Sequence, residues 1–353
     1  MPKIAILGHG VVGSGTAEVF LKNKDGIAAK TGKDVELGYV LDVRNPDEFA
    51  GCAYKDKFVS DFAAILADPD VAVVAELIGG INPAYDFVKS SLNAGKSVVT
   101  SNKELVAKHG AELLRIAREK NANFFFEASV GGGIPIIRPL HQCLAADRIN
   151  EVAGILNGTT NFILTKMFRD GMEFAEALKL AQDNGYAERD PSDDVNGIDA
   201  CRKICILAAI VFGKRVSPDN VNVFTEGISK ITADDIRFCE SKGGTVKLIA
   251  RAARAGDKVS VTVCPTFVEK DSQLAGVNDV YNAVLVRGEA TGDVVFYGKG
   301  AGKYPTASAV VNDIVNALAP PSETGLTPLS WEESELELAP PTFKEVCGNI
   351  RAF

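Results

Sequence analysis

Lys3-Ile4-Ala5-Ile6-Leu7-Gly8-His9-Gly10-Val11-Val12-Gly13 decides the fold. Its first five residues predict a short, buried strand of a parallel sheet, apolar after Lys3 and stopped by glycine. The periodicity of Ser14–Lys22 predicts a helix directly behind it. Gly-x-Gly-x-x-Gly alone is weak evidence of a ligand. Between a strand and a helix it predicts a dinucleotide site. Gly8 permits the tight turn, Gly10 lets the backbone approach a pyrophosphate, and Gly13 lets helix and strand pack closely. Val11 and Val12 lie between them, where free amides at the helix N-terminus bind the anion.

Outward from this stretch the alternation continues. Val35–Val43, Val71–Glu76, Ser97–Thr100 and Asn123–Phe126 read as strands. Asp61–Ala67, Pro83–Asn93 (with proline in its first turn) and Asn102–Lys120 read as helices. Strands alternating with helices predict a Rossmann-type, doubly wound parallel α/β sheet. Ligands of such sheets sit at the carboxyl ends of the strands. That directs attention to the loops Gly8–Gly13, Leu77–Gly80, Thr100–Lys103 and Glu127–Pro135. The second strand ends Leu41-Asp42-Val43-Arg44. An acid here reads the ribose hydroxyl of NAD, and an arginine accommodates the 2′-phosphate of NADP. Both Asp42 and Arg44 are present, so the residues leave NAD and NADP open, and Arg44 reads equally well as a solvated loop charge.

At 353 residues the chain is long for one core, and two domains are expected. A formal net charge of −8 argues against nucleic acid or an anionic membrane as partner. The start Met1-Pro2-Lys3 leads straight into a strand, leaving no room for a signal peptide. The longest apolar run, Ile204–Phe212, is too short to span a bilayer. Seven cysteines without a Cys-x-x-Cys pair, and only three histidines, give no transition-metal pattern. A reducing, cytoplasmic compartment is expected.

The second half carries its own signals. Glu127–Pro135 is a glycine-rich bend suited to close contact with a ligand or a hard cation. Ile149–Leu156 reads as a strand, Asn157-Gly158-Thr159-Thr160 as a turn plus N-cap, and Asn161–Arg169 and Glu173–Asn184 as helices. In Gly185–Lys203 several carboxylates gather around turn signals before the apolar Ile204–Phe212. Asp199 and Lys203, four apart, share a helix face. An ordinary surface ion pair has the same spacing, but apolar flanks place this lysine where acid/base chemistry is available to it. Thr245–Arg254, Val259–Phe267 and Val294–Tyr297 read as strands, which predicts an α+β domain with an antiparallel sheet. A glycine loop, Gly298–Gly302, precedes a helix at Pro305–Leu318.

Four blocks, in order, resemble homoserine dehydrogenases: Gly8–Gly13, Thr100–Lys103, Glu127–Pro135, and Gly154–Asn161 leading into Gly185–Lys203. The resemblance covers nearly the whole chain. It implies NAD(P)-dependent interconversion of L-aspartate 4-semialdehyde and L-homoserine, a step of threonine and methionine biosynthesis. It makes Lys203 the acid/base and Lys103 a second essential lysine. Glu188 and Asp199 would bind the amino end of the substrate, with Asp194 in support. Thr100 and Ser101 would line the nicotinamide, and Gly300 and Gly302 would return to the cofactor. Glu127, Val130, Gly132 and Ile134 would hold a monovalent cation, sodium or potassium. The implied organisation is an NAD(P)-binding domain at 1–128 and a substrate and dimerisation domain at 129–303. A returning helix at 304–320 and a tail at 321–353 follow. A homodimer is implied. The tail is too short for the regulatory domain of many relatives, so feedback control is expected to be absent or supplied by another chain. It is expected to cover the domain junction or to stay partly disordered. A different Rossmann reductase has no reason to keep the Gly185–Lys203 carboxylates, and a nucleotide sensor needs neither lysine.

Overall fold

The computed structural model describes residues 1–49, 51–319, 321–324 and 327–353. The chain divides into two units, Met1–Gly133 with Ala301–Trp331 and Ile134–Gly300 with Glu332–Phe353.

In the first unit, β1 (Lys3–Leu7), β2 (Glu36–Leu41), β3 (Phe58–Val59), β4 (Val71–Glu76), β5 (Ser97–Thr100) and β6 (Phe124–Phe125) form one sheet. Their order is β3-β2-β1-β4-β5-β6, with every pairing parallel. The strand order therefore reverses beside β1, where the glycine turn leaves the sheet. Ile4, Ala5, Ile6 and Leu7 are fully buried, as a central strand covered on both faces requires. The first helix begins at Val11, not Ser14, so Gly13 lies inside its first turn. Pro83 stands at the N-cap of Ala84–Asn93, outside the helix where the sequence placed it. Helix Lys24–Thr31 was not anticipated; it buries only Ile27 and so has almost no apolar periodicity to read.

Helix Lys303–Ala317 belongs to this unit and packs on Val11–Lys22. A Cβ at Gly15 would fall 2.8 Å from the Lys303 side chain and 3.3 Å from Ala307, so only glycine allows that approach. Lys303 Nζ then donates to Glu18 Oε1 at 2.7 Å across the same contact.

The second unit is built on β7 (Ile149–Ile155), β8 (Lys214–Arg215), β9 (Val223–Thr225), β10 (Gly244–Ala255), β11 (Lys258–Glu269), β12 (Tyr281–Gly288), β13 (Gly292–Lys299), β14 (Glu332–Glu335), β15 (Lys344–Cys347) and β16 (Ile350–Ala352). The main sheet runs β13-β12-β7-β10-β11-β16-β15, with β9 also on β11. Its long strands pair antiparallel, as expected. Beyond β11 the sheet becomes mixed, because β9 and β16 both join that strand in parallel. Within the described part of the tail, 332–335, 344–347 and 350–352 are strands, and Arg351 donates to Glu226 at 3.1 Å. Pro320, Gly325 and Leu326 lie outside the described residues. Among those described, no helix is long and apolar enough to cross a membrane.

Candidate functional site

Two consecutive residues just after β7 organise the second unit's polar cluster. Leu156 presents its carbonyl, which accepts from Lys203 Nζ at 2.8 Å. Asn157 caps helix Gly158–Asp170, its Oδ1 accepting from Thr160 N at 2.8 Å. The same carboxamide points its Nδ2 at two acids, Asp194 Oδ1 at 2.6 Å and Asp199 Oδ2 at 2.8 Å. Lys203 Nζ reaches Asp199 Oδ2 at 2.7 Å, one turn along helix Ile198–Phe212. Asp199 is 2% exposed and Lys203 9%, so this is a buried pair rather than a solvated one. Burial, and then the neighbouring Asp199 charge, push the Asp194 carboxyl above its ordinary range; hydrogen bonds from Asn157 and Thr159 work the other way. Two acids gathered on one amide beside one lysine have the chemistry to receive a small cationic group next to a group able to carry a proton.

Glu188 is exposed on the turn that follows helix Phe174–Asp183, its carbonyl accepting from Gln182 Nε2 at 3.2 Å. Its carboxylate makes no contact with the Asn157 cluster among the bonds of the described residues. The cluster is tied to that turn through Thr159, whose hydroxyl donates to Tyr186 O at 2.7 Å.

In the first unit the glycine turn has the shape the motif requires. Gly8 holds φ +93°, and a Cβ there would meet Leu77 O at 2.9 Å. A Cβ on Gly13 would lie 1.9 Å from Gly8 O, which no side chain can survive. Around Gly10 there is open space, with no atom within 4 Å of where a Cβ would stand. Gly10 caps the helix without a side-chain bond, so the first-turn amides, Val11 and Val12 among them, face that space. These features fit a pyrophosphate on the helix N-terminus.

At the end of β2, Asp42 is enclosed. His9 N donates to Oδ2 at 2.9 Å, Arg44 N to Oδ1 at 3.0 Å, and the guanidinium to both oxygens at 2.9 Å. The Arg44 guanidinium beside it holds the Asp42 carboxyl well below the usual range. Arg44, with its side chain 45% exposed, also donates to His9 O at 2.7 Å and lies over the Phe49 ring.

The ends of β4 and β5 are joined by a fully buried acid, Glu76. Its Oε1 accepts from Ile78 N at 2.8 Å and Gly79 N at 3.2 Å, and its Oε2 from the Thr100 hydroxyl at 2.6 Å. Thr100 Oγ1 in turn accepts from Asn102 N at 2.9 Å, and Asn102 caps helix Lys103–Glu119. Lys103 and Ser101 are half-buried there. Glu127, Val130 and Ile134 are buried along one bend, which turns through left-handed Gly131 and Gly132. Gly302, at φ +116°, caps helix Lys303–Ala317, while Gly300 packs on Asn282 in the second unit.

The structure thus brings Asp194, Asp199 and Lys203 together, with Glu188 exposed on the turn that Thr159 ties to them. Two organising residues were missed by sequence reasoning. Asn157 was read only as a turn and cap, although an asparagine needs just one oxygen for capping and keeps its NH2 for other work. Glu76 looked like the last residue of a strand; a carboxylate closing an apolar run was the available signal.

Comparison with known proteins gives the family. Residues 8–127 match the family model for the homoserine dehydrogenase NAD binding domain, and residues 135–315 that for homoserine dehydrogenase. The homoserine dehydrogenase of Bacillus subtilis is 44% identical over 315 residues, covering 89% of this chain and 72% of that protein. That of Synechocystis is 44% identical over 319 residues, with the same coverage of 89% and 72%. A Thiobacillus denitrificans homoserine dehydrogenase crystal structure superposes with a TM-score of 0.90 at 39% identity, covering 96% of this chain and 79% of that one. A hyperthermophilic archaeal homoserine dehydrogenase mutant, solved in complex with NADPH, gives 0.75 at 28% identity, with coverage of 90% and 97%. The chain belongs to the homoserine dehydrogenase family, oxidoreductases that interconvert L-homoserine and L-aspartate 4-semialdehyde with NAD(P).

Proposed function

We propose that Lys203 is the acid/base of this reaction, and that the Asn157 cluster receives the amino end of the substrate. The observation that carries the reading is the buried Lys203 ammonium held by Asp199 and the Leu156 carbonyl at 2.7 and 2.8 Å. Those two bonds set where the nitrogen sits. Aldehyde reduction needs a proton at the forming alkoxide, and homoserine oxidation needs one removed from the hydroxyl; a lysine fixed in place can do both. Asp199, Asp194 and Glu188 serve the substrate ammonium. Asp194 is a half-buried acid beside a second acid, and a cation placed next to it offsets both the partial burial and the repulsion. Lys103, at the start of its helix, is the second essential lysine of this reading.

Residues of the first unit would hold the nicotinamide cofactor: Gly8, Gly10 and Gly13 its pyrophosphate, and Thr100 and Ser101 its nicotinamide side. When bound, that group supplies or accepts the hydride. NADP is favoured over NAD, because Asp42 is already met by His9 and Arg44 rather than presented to a ribose hydroxyl. Arg44 is exposed enough to turn to a 2′-phosphate, and a relative has been solved with NADPH. The bend Glu127–Ile134 joins a buried carboxylate to backbone carbonyls, a donor set suited to a monovalent cation. Homodimerisation through the second unit's sheet completes the reading.

The test is reduced-nicotinamide absorbance with L-homoserine, run with NAD and with NADP, for the wild type and Lys203→Ala. The variant should lose about 10²- to 10⁴-fold in kcat with cofactor affinity unchanged. Unchanged turnover removes Lys203 from the mechanism, and a faster rate with NAD removes the Arg44 assignment.

A further inference from the structure

Leu7, Glu76 and Thr100 stand in register at the carboxyl ends of β1, β4 and β5. The strand order reverses beside β1, so this is the crevice across which a doubly wound sheet binds a dinucleotide. Glu76 is fully buried there, and a buried carboxylate ordinarily faces a cation. Among the described residues its partners are neutral: the amides of Ile78 and Gly79 on Oε1, and the Thr100 hydroxyl on Oε2.

Proton bookkeeping fixes its charge. Thr100 is also fully buried, and its Oγ1 already accepts from Asn102 N at 2.9 Å, so the hydroxyl proton goes to Glu76 at 2.6 Å. Glu76 therefore accepts on both oxygens and donates on neither, the bonding of an ionised carboxylate. Asn102 closes the ring, its Nδ2 donating to Gly80 O at 2.5 Å while its Oδ1 accepts from Leu105 N at 3.0 Å. One negative charge is thus locked against the loop Leu77–Gly80, whose last three residues are exposed. Gly79 and Gly80, at φ +84° and +69°, bring no side chain to that loop, and no atom lies within 4 Å of where a Cβ would stand on either. Open space therefore adjoins backbone that is bonded directly to the charge.

We propose that Glu76 selects the redox form of the cofactor, its buried charge holding the cationic oxidised nicotinamide more tightly than the neutral reduced ring. The oxidised ring carries one positive charge and loses it on accepting a hydride, so only one form meets an opposite charge. Neutral donors stabilise the carboxylate without cancelling its field, and a buried site screens that field far less than water does. The preference draws the bound equilibrium toward the oxidised cofactor, the form left once the aldehyde has been reduced. The inference rests on the reading that Thr100 and Ser101 line the nicotinamide.

Calorimetric titration of the full chain tests it with NADP⁺, NADPH and 2′-phospho-ADP-ribose, which ends before the nicotinamide. Glu76→Gln removes the charge and keeps the size of the side chain. It should raise the Kd for NADP⁺ about tenfold and leave those for NADPH and 2′-phospho-ADP-ribose within about twofold. Glu76→Asp keeps the charge, so it should keep the preference for NADP⁺. A fourth ligand, the dinucleotide with neutral benzamide in place of nicotinamide, tests the same point on the wild type should the glutamine variant fail to fold. The wild type should bind NADP⁺ about tenfold more tightly than this analogue of the same planar shape. An NADP⁺ constant that Glu76→Gln does not move, or a loss shared equally by NADP⁺ and NADPH, overturns the inference while the glycine-turn reading stands. So does wild-type protein that binds NADP⁺ and the benzamide analogue alike. Wild-type protein that binds none of the four ligands overturns both.

Discussion

Asp42, directly after β2 in the first unit, and Asp194, in the short helix Ser192–Val195 of the second, are both acids whose surroundings treat them oppositely. Asp42 is clasped by the Arg44 guanidinium and two backbone amides, which hold its carboxyl far below the usual range. Asp194 is half-buried beside Asp199 and shares with it one neutral donor, Asn157; the loss of solvent and the neighbouring charge push its carboxyl up. The first acid is already answered by the protein and serves as an anchor for the arginine. The second is left short of positive charge, which suits a residue whose partner arrives with the substrate.

Removing the shared donor is the most damaging way to break that contrast. Asn157→Ala leaves the buried Asp199 and the half-buried Asp194 without their common N–H and takes the cap from its helix. We expect kcat/KM for homoserine to fall about 100-fold, which corresponds to roughly 2.7 kcal/mol, with the affinity for NADP intact. Steady-state kinetics and cofactor titration check this; equal losses on both ligands would reduce Asn157 to a structural cap. Arg44→Ala should act on the other ligand, raising the KM for NADP about tenfold and leaving that for homoserine alone. If the NADP constant does not move, Arg44 is only the partner of Asp42.

The smallest effect is in the pH dependence of stability, and the two acids predict opposite signs. Asp194 has a folded pKa above its unfolded value of 3.8, so the native state binds that proton more tightly. Its contribution is favourable below pH 3.8 and is lost as pH rises through the higher folded value. Asp42 has a depressed folded pKa, so its contribution is present above pH 3.8 and is lost as pH falls through the folded value. Asp194→Asn should therefore be at least as stable as wild type at pH 7 and lose that advantage toward pH 4, while Asp42→Asn is the less stable variant at pH 7. Chemical denaturation at several pH values reads both. Asp194→Asn destabilising at pH 7 would place Asp194 among ordinary, well-compensated acids.

Much of this was legible without coordinates, for physical reasons. The β1 strand and its glycines are local: an apolar run that must be buried, a turn at positive φ, and a contact between Gly13 and Gly8 five residues apart. Asp199 and Lys203 are one helical turn apart, so their pairing needs only the helix. Helix Ala233–Ser241 and the long strand Tyr281–Gly288 escaped notice, although the helix carries a full capping box at Thr232 and Asp235. Tyr281–Gly288 is buried at nearly every position, and such a run lacks the alternation by which a strand is recognised.

What the sequence determined by itself was therefore whatever spans a turn or less: the dinucleotide motif, the buried alternation of strand and helix, and the lysine with its acid. Tertiary structure alone decided which distant residues share a proton donor or a carbonyl. Asn157 meets Asp194 and Asp199 across 37 and 42 residues, and Lys203 finds Leu156 across 47. Glu76 reaches Thr100 across 24, and Asn282 comes to rest against Gly158 and Gly300. Those meetings depend on strand order and register, which burial of the whole sheet selects and no local pattern encodes.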